Sequence, residues 1–404
     1  MMALNALTIV APDPRVHAEQ LYDLIPKVFS NLGYFRGRDL CRQAYVGQSH
    51  YDWAASRIGL LNGTIVTHYG VWGYDMRIGQ GRVRVAGIGA VATHGDYRKR
   101  GFMDQTAQAA VAGMSEHGYA MTILFGIENF YHRFGYVRAW SETDWYVKVT
   151  ALPSAPVETP VRAFRPMPRP EFAALYNAYY ATCTGTAVRP TFRRLVNFAN
   201  TPLQGYRWDD AAGQLAGYVI VHRQGARLEC IEYCGDVEQT LRVLGHLGRR
   251  LHCDEVKFVV LPQTSPLATR LRRESCRSET QYQRCGGAMV RTVSLRRTLA
   301  GMVNAFSDRI TNSPFAAWSG RLQIEDAREQ VVLQIEQGTV TVAVPGVTPH
   351  CLAGGEAVVQ LLIGTAHPEE VLDSQGITTT GEARRLVATL FPAQYPQLSY
   401  FDRY

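Results

Sequence analysis

The sequence predicts an α/β (α+β) chain of three units, on three observations. Its 404 residues exceed the usual domain of about 100–200 residues, which points to two or three cores. A proline-rich break at 151–170 and a second change of pattern near 289–301 divide it into 1–150, 151–290 and 291–404. In the first two units helical and strand-like spacing alternates in a similar order, which suggests a duplicated fold.

In the first unit, 16–32 has helical apolar spacing, and 56–72 reads as two strands about an Asn62-Gly63 turn. A strand rich in small residues, 83–94, precedes a helix at 102–116, a His117-Gly118 stop and a strand at 119–125. Alternation at 144–149 marks another strand before prolines 153, 156, 160, 166, 168 and 170, with a short strand, 161–165, inside this linker. The second unit reads as a helix at 171–180, a strand pair about Ala211-Ala212-Gly213, a helix at 237–251 and a strand at 255–261. A strand at 288–295 leads into the third unit. There, strands at 321–324, 330–336 and 339–344 precede helices at 355–364 and 381–390, an α+β pattern with its own core.

Composition narrows the function. No apolar run approaches the roughly 20 residues of a membrane span, and the N-terminus has no basic residue before its short apolar piece, so a cytoplasmic chain without a secretory signal is expected. The eight cysteines are scattered without C-x-x-C repeats or histidines at zinc spacing, so reduced thiols and no metal are expected. The net charge of +7 is concentrated in the middle unit, and 38 of the 42 basic residues are arginine. No basic stripe or docking motif accompanies that charge, which argues against a nucleic-acid partner.

Chemistry concentrates in 83–136. Small side chains along 83–94 let a ligand lie close to the backbone, and Gly101 does the same where Arg98-Lys99-Arg100-Gly101-Phe102-Met103 opens the helix. The free N–H groups and positive dipole end of that first turn, with Arg98 and Arg100 beside them, suit a pyrophosphate. The G-x-x-x-x-G-K-[ST] and G-x-G-x-x-G turns are both absent. Taken alone, the hexapeptide also fits a solvated surface loop.

The continuation is Phe125-Gly126-Ile127-Glu128-Asn129-Phe130-Tyr131-His132-Arg133-Phe134-Gly135-Tyr136. Together with the basic glycine turn it resembles the GCN5-related N-acetyltransferase (GNAT) superfamily. There R/Q-x-x-G-x-G/A binds the pyrophosphate of acetyl-CoA, and F-Y-x-x-x-G-[FY] follows the next strand. The whole chain resembles the enhanced intracellular survival (Eis) type through these motifs, the junction 289–295 and the tail Tyr400-Phe401-Asp402-Arg403-Tyr404. The resemblance implies tandem GNAT folds, the N-terminal one active and the central one degenerate, followed by a sterol-carrier-protein-like domain. The lack of a basic glycine turn between strand 215–221 and the helix at 237 agrees with a central unit that binds no cofactor.

The resemblance implies acetyl-CoA contacts at Ala90, Val91, Ala92, Thr93, Arg98–Met103, Phe125, Gly126 and Asn129. It implies Tyr131 as the general acid that reprotonates the thiolate, since a phenol with a pKa of about 10 is protonated at neutral pH. Strand 83–93 lacks the carboxylate that many relatives keep there, and the resemblance points to the terminal carboxylate of Tyr404 as the base, with His94, His68 and Glu128 as substitutes. It puts the acceptor pocket near Asp23, Phe29, Tyr34 and Phe35, with Asp402, and implies a small cationic amine acceptor of aminoglycoside or polyamine type and a homo-oligomer, a hexamer. The competing expectation is a lipid-binding or scaffold protein in which the sterol-carrier-like domain is functional and the acetyltransferase core vestigial.

Overall fold

The computed structural model describes residues 6–29, 33–47, 49–154, 160–165, 169–190, 202–374 and 376–404; linker prolines 156, 166 and 168 lie outside these residues. β1 (Thr8–Val10) is followed by α1 (Pro14–Val28), which Asp13 caps by accepting the Arg15 N–H, with proline at the first helical position. Next, α2 (Tyr34–Leu40) runs into a π-helical turn, Cys41–Tyr45. Asn62 and Gly63, both at positive φ, form the two-residue turn between β2 (Arg57–Leu61) and the long β3 (Thr64–Ile78), as a type I′ hairpin requires. β4 (Gly81–Thr93) runs back antiparallel; α3 (Phe102–Glu116) then crosses over to β5 (Met121–Gly126), which lies parallel to β4. The unit ends with β6 (Val137–Arg138) and β7 (Glu142–Lys148).

The middle unit comprises β8 (Arg162–Phe164), α4 (Pro170–Tyr179), β9 (Gln204–Asp209), β10 (Leu215–Gln224), β11 (Arg227–Cys234), α5 (Val237–Arg250), β12 (Glu255–Phe258), α6 (Pro266–Leu271), β13 (Cys276–Gln281) and β14 (Gly287–Thr292). The first sheet has the order β1-β2-β3-β4-β5-β14-β6 and the second β13-β7-β12-β11-β10-β9-β8. Each has one parallel pair, β4/β5 and β11/β12, spanned by a crossover helix, α3 and α5.

The boundaries at 150 and 290 do not cut the sheets cleanly. β7, from before residue 150, pairs with β12 and β13, and β14, which straddles 290, is inserted between β5 and β6. The second sheet therefore takes one strand from the first unit, and the first sheet takes one from the junction of the second and third. Local periodicity locates such strands but carries no information on their partners.

The last unit begins with α7 (Leu295–Ala300) and α8 (Val303–Thr311) and builds a five-stranded sheet from β15 (Gly320–Glu325), β16 (Gln330–Glu336), β17 (Thr339–Ala343), β18 (Cys351–Ala353) and β19 (Thr378–Thr380), with α9 (Val358–Ile363), α10 (Pro368–Ser374) and α11 (Ala383–Leu390). Its interior is continuous with one face of the first sheet: Val85, Ile123 and Val290 share a core with Phe306, Leu322, Leu361 and Leu386. The opposite face of that sheet packs under α3 through Ala86, Ile88, Met103, Ala107 and Ala110. Among the described residues no helix is long and apolar enough to cross a membrane, and no group of three or more His, Cys, Asp or Glu side chains is placed to hold a metal ion.

Candidate active site

The parallel pairing of β4 with β5 runs from Val85↔Met121 to Ile88↔Leu124 and ends there, although β4 continues to Thr93 and β5 to Gly126. The two strands thus part into a cleft whose β4 wall is residues 89–93, at the end of the strand nearest α3. Within that wall is a β-bulge: Gly89 faces Gly70 and Ala92 faces His68, so β4 carries one residue more than β3, and Ala90 takes φ of 46°.

His68 holds the bulge. It is fully buried, its Nδ1–H donates to the Ala90 carbonyl at 2.8 Å, and its Nε2 accepts from the Tyr51 hydroxyl at 2.7 Å. Both ring nitrogens are engaged in framework bonds, which removes it as a substitute base. Burial lowers its pKa from 6.5 to about 4. Between those values the unfolded chain is protonated at this residue and the folded chain is not, so falling pH favours unfolding by up to about 3 kcal/mol. Urea unfolding at pH 7 and pH 4.5 is expected to show that loss, and His68→Gln to flatten it; equal slopes in the two proteins would remove His68 as its source. The other substitutes, His94 beside Asp96 at 3.8 Å and the exposed Glu128, lie outside this framework.

At the helix entrance, Gly95–Tyr97 forms a short 3₁₀ turn, Lys99 and Gly101 both take positive φ (62° and 72°), and α3 begins at Phe102. A side chain on Gly101 would be strained by its left-handed backbone rather than by crowding, since its Cβ would meet nothing within 4 Å. Arg98, Lys99 and Arg100 are all exposed around this open turn. Arg133 pairs with Asp104 at 3.2 Å and so offsets the one acid in the first turn of α3. Half-buried Phe102 and buried Met103 root the turn, and Arg98 Nε reaches back to the Thr93 carbonyl at 3.5 Å. Free helix N–H groups, a positive dipole end and three cations suit a pyrophosphate.

Tyr131 and Tyr404 each pack on a glycine, Tyr131 on β5 and Tyr404 on β4. On the β5 side the Tyr131 ring lies on Gly126, where a Cβ would come within 2.4 Å of it, beside Phe130 and Tyr136. Burial pushes its hydroxyl above the ordinary phenol range, with Tyr136 and Tyr45 adding to the effect. On the β4 side the Tyr404 ring lies flat on Gly87, within 2.1 Å of where a Cβ would stand, and tilts against Tyr74 at 5.3 Å. A Cβ on Gly89 would meet the Tyr45 hydroxyl at 2.5 Å and Tyr404 Cβ at 3.1 Å. The small residues expected to admit a ligand here admit Tyr404 of the chain itself. Tyr45, carried by the π-helical turn with its carbonyl bound by Trp72 Nε1 at 3.0 Å, is a cleft residue that no sequence motif marks.

The remaining expected site residues separate. Phe125 points away from the cradle, its ring 6.3 Å from Trp140 and 4.3 Å from the Arg403 guanidinium, while the Asn129 N–H donates to the Cys285 carbonyl. Asp23 accepts from Tyr34 and from Arg38 (2.9 Å) and pairs with Lys27 (3.6 Å), so it ties α1 to α2, and the Tyr34 bond holds its pKa down. Phe29 is 47% and Phe35 82% exposed, so neither forms a closed wall. Asp402 is not free for an acceptor: it is 2% exposed and paired with Arg189 at 3.0 Å.

Residues 19–139 match the family model of the acetyltransferase (GNAT) domain. Over these residues the chain carries an acetyltransferase domain of the GNAT type. The match includes the bulged β4, the helix entrance and Tyr131, and stops short of β14 and the tail. No curated protein matches the chain. Among solved structures it is similar to a GCN5-related N-acetyltransferase from Anabaena variabilis (16% identity, TM-score 0.76, covering 97% of this chain and 99% of that one). It is also similar to one from Kribbella flavida (19%, 0.73, covering 99% and 100%) and to Eis1 from Mycobacterium abscessus (15%, 0.71, covering 98% and 99%). At these identities the likeness establishes a shared fold over nearly the whole chain.

Proposed function

We propose that the acetyltransferase transfers the acetyl group of acetyl-CoA directly to a primary amine of a small cationic acceptor, with Tyr131 as general acid and the terminal carboxylate of Tyr404 as general base. The observation that carries this reading is the position of Tyr404, its ring on Gly87 and its Cβ at Gly89 beside the Tyr45 hydroxyl, at the β4 edge of the cleft, while Tyr131 lies on Gly126 of β5 and also feels Tyr45. The basic turn Arg98–Gly101 would hold the pyrophosphate, and the bulged wall Ala90–Thr93 would present N–H groups to the pantetheine and to the oxygen of the thioester. The thioester supplies the activated acetyl group. Tyr131 is kept protonated by burial, and the carboxylate takes the proton that the amine loses.

The matching strand patterns of the two large sheets support a tandem of GNAT folds with only the first active, since only it has the basic glycine turn. The core that the last unit shares with the first sheet supports a holding role for that unit over lipid binding. The test is thiol release from acetyl-CoA on adding a panel of polyamines and aminoglycosides. Amine-dependent release is expected, and none with any member of the panel would overturn the reading.

A further inference from the structure

In the second sheet the parallel pairing of β11 with β12 ends at Cys230↔Phe258 while β11 runs on to Cys234, so these strands part as β4 and β5 do. Here the gap is filled by the chain itself. Gln397–Tyr400 line it together with 230–233 and 258–261, leaving a cavity of 30 Å³, room for little more than water.

Beside that gap Arg189 donates to Glu232 through Nη1 (2.9 Å) and Nη2 (2.6 Å), and to Asp402 through Nε (3.1 Å) and Nη2 (3.0 Å). Tyr218 also donates to Glu232, at 2.8 Å, as does the Ser399 hydroxyl. Both carboxylates are nearly inaccessible, and the guanidinium stands 3.5 Å from the centre of the Tyr176 ring. One cation thus serves two buried anions, so losing it weakens the compensation of both at once.

The Arg189 N–H is in turn held by Asn177 Oδ1 (2.8 Å), which also accepts from Arg77 of β3 (2.8 Å). A continuous path therefore runs from β3 through Asn177, Arg189 and Asp402 to Tyr404, and returns to β4 at Gly87.

We propose that the middle unit is the receptor for the chain's own C-terminal tail and that Arg189 is the positioning residue for the terminal carboxylate. Its catalytic half rests on the terminal-base reading above. A gap that would hold pantetheine in one sheet holds residues 397–400 in the other, and the ion cluster fixes where residue 402 stands, two residues before the carboxylate.

The experiment compares Arg189→Gln, Arg189→Lys and Asp402→Asn in the full chain. Asp402→Asn is isosteric and leaves the Arg189–Glu232 pair intact, so it folds even if Arg189→Gln does not. In Asp402→Asn and Arg189→Gln, carboxypeptidase should release Tyr404 at least about ten-fold faster, and kcat should fall about 10–100-fold with the KM for acetyl-CoA within about two-fold, because displacing a catalytic group by an ångström costs that much while the cradle is untouched. Arg189→Lys should recover part of both. A tail that stays protected in Asp402→Asn overturns the receptor proposal. Released Tyr404 with kcat unchanged upholds the receptor and sinks the terminal base, which separates the two failures.

Discussion

Tyr131→Phe is expected to lower kcat by about 10²–10⁴-fold, the usual contribution of a positioned acid, and to leave the KM for acetyl-CoA nearly unchanged. The substitution removes one oxygen and keeps the ring that lies on Gly126, so the β5 wall keeps its shape. The cradle around Gly101 belongs to a different element and does not feel the change. Because burial raises the Tyr131 hydroxyl above the ordinary phenol range, the wild type should show no loss of acid function through Tyr131 at or below about pH 10. Steady-state kinetics with one acceptor across pH 6–10 measures both effects. Full activity of the phenylalanine variant would show that solvent or another group reprotonates the thiolate.

The strand, basic turn and helix at 83–116 were legible in the sequence because they are local. A strand of small residues, a basic turn with glycine and an amphipathic helix follow one another within 35 residues, and the structure forms β4, the Lys99–Gly101 turn and α3 from those same stretches. The Asn62-Gly63 hairpin was legible for the same reason. What local pattern could not supply was partnership. The exchange of β7 and β14 between sheets depends on contacts between residues more than 100 positions apart, as in Lys148↔Glu255 and Leu124↔Met289.

The purpose of Gly87 and Gly89 was equally hidden. Small residues announce close approach, but whether the approaching group is a ligand or residue 404 is a matter of tertiary structure. Asp402 and Asp23 were misread in one way: a carboxylate beside aromatics looks like a cation site until its own arginine is found, Arg189 in one case and Arg38 in the other. His68 gave only a weak signal, a lone histidine in an apolar strand. Its two hydrogen bonds identify it as the pin of the bulge on which the cleft depends.

Extending the chain by one glycine beyond Tyr404 is expected to reduce kcat by about 10²-fold at neutral pH, whereas Tyr404→Phe should keep most of the activity. The extension keeps the ring on Gly87 but turns the terminal carboxylate into an amide and carries the new one about 3.8 Å further along. Tyr404→Phe changes the ring's hydroxyl and leaves the carboxylate where it was. The pH dependence separates a base from a binding group. An amine acceptor is protonated at neutral pH and must lose its proton before it attacks; as pH rises through its pKa, near 10 for a lysine-like amine, the neutral form is supplied by solvent. If the carboxylate is the base, the extended chain should therefore regain on the wild type as pH approaches the acceptor's pKa, and the gap should close at lower pH for an acceptor of lower pKa. Parallel profiles at every pH would mean that the last residue shapes the pocket without taking the proton.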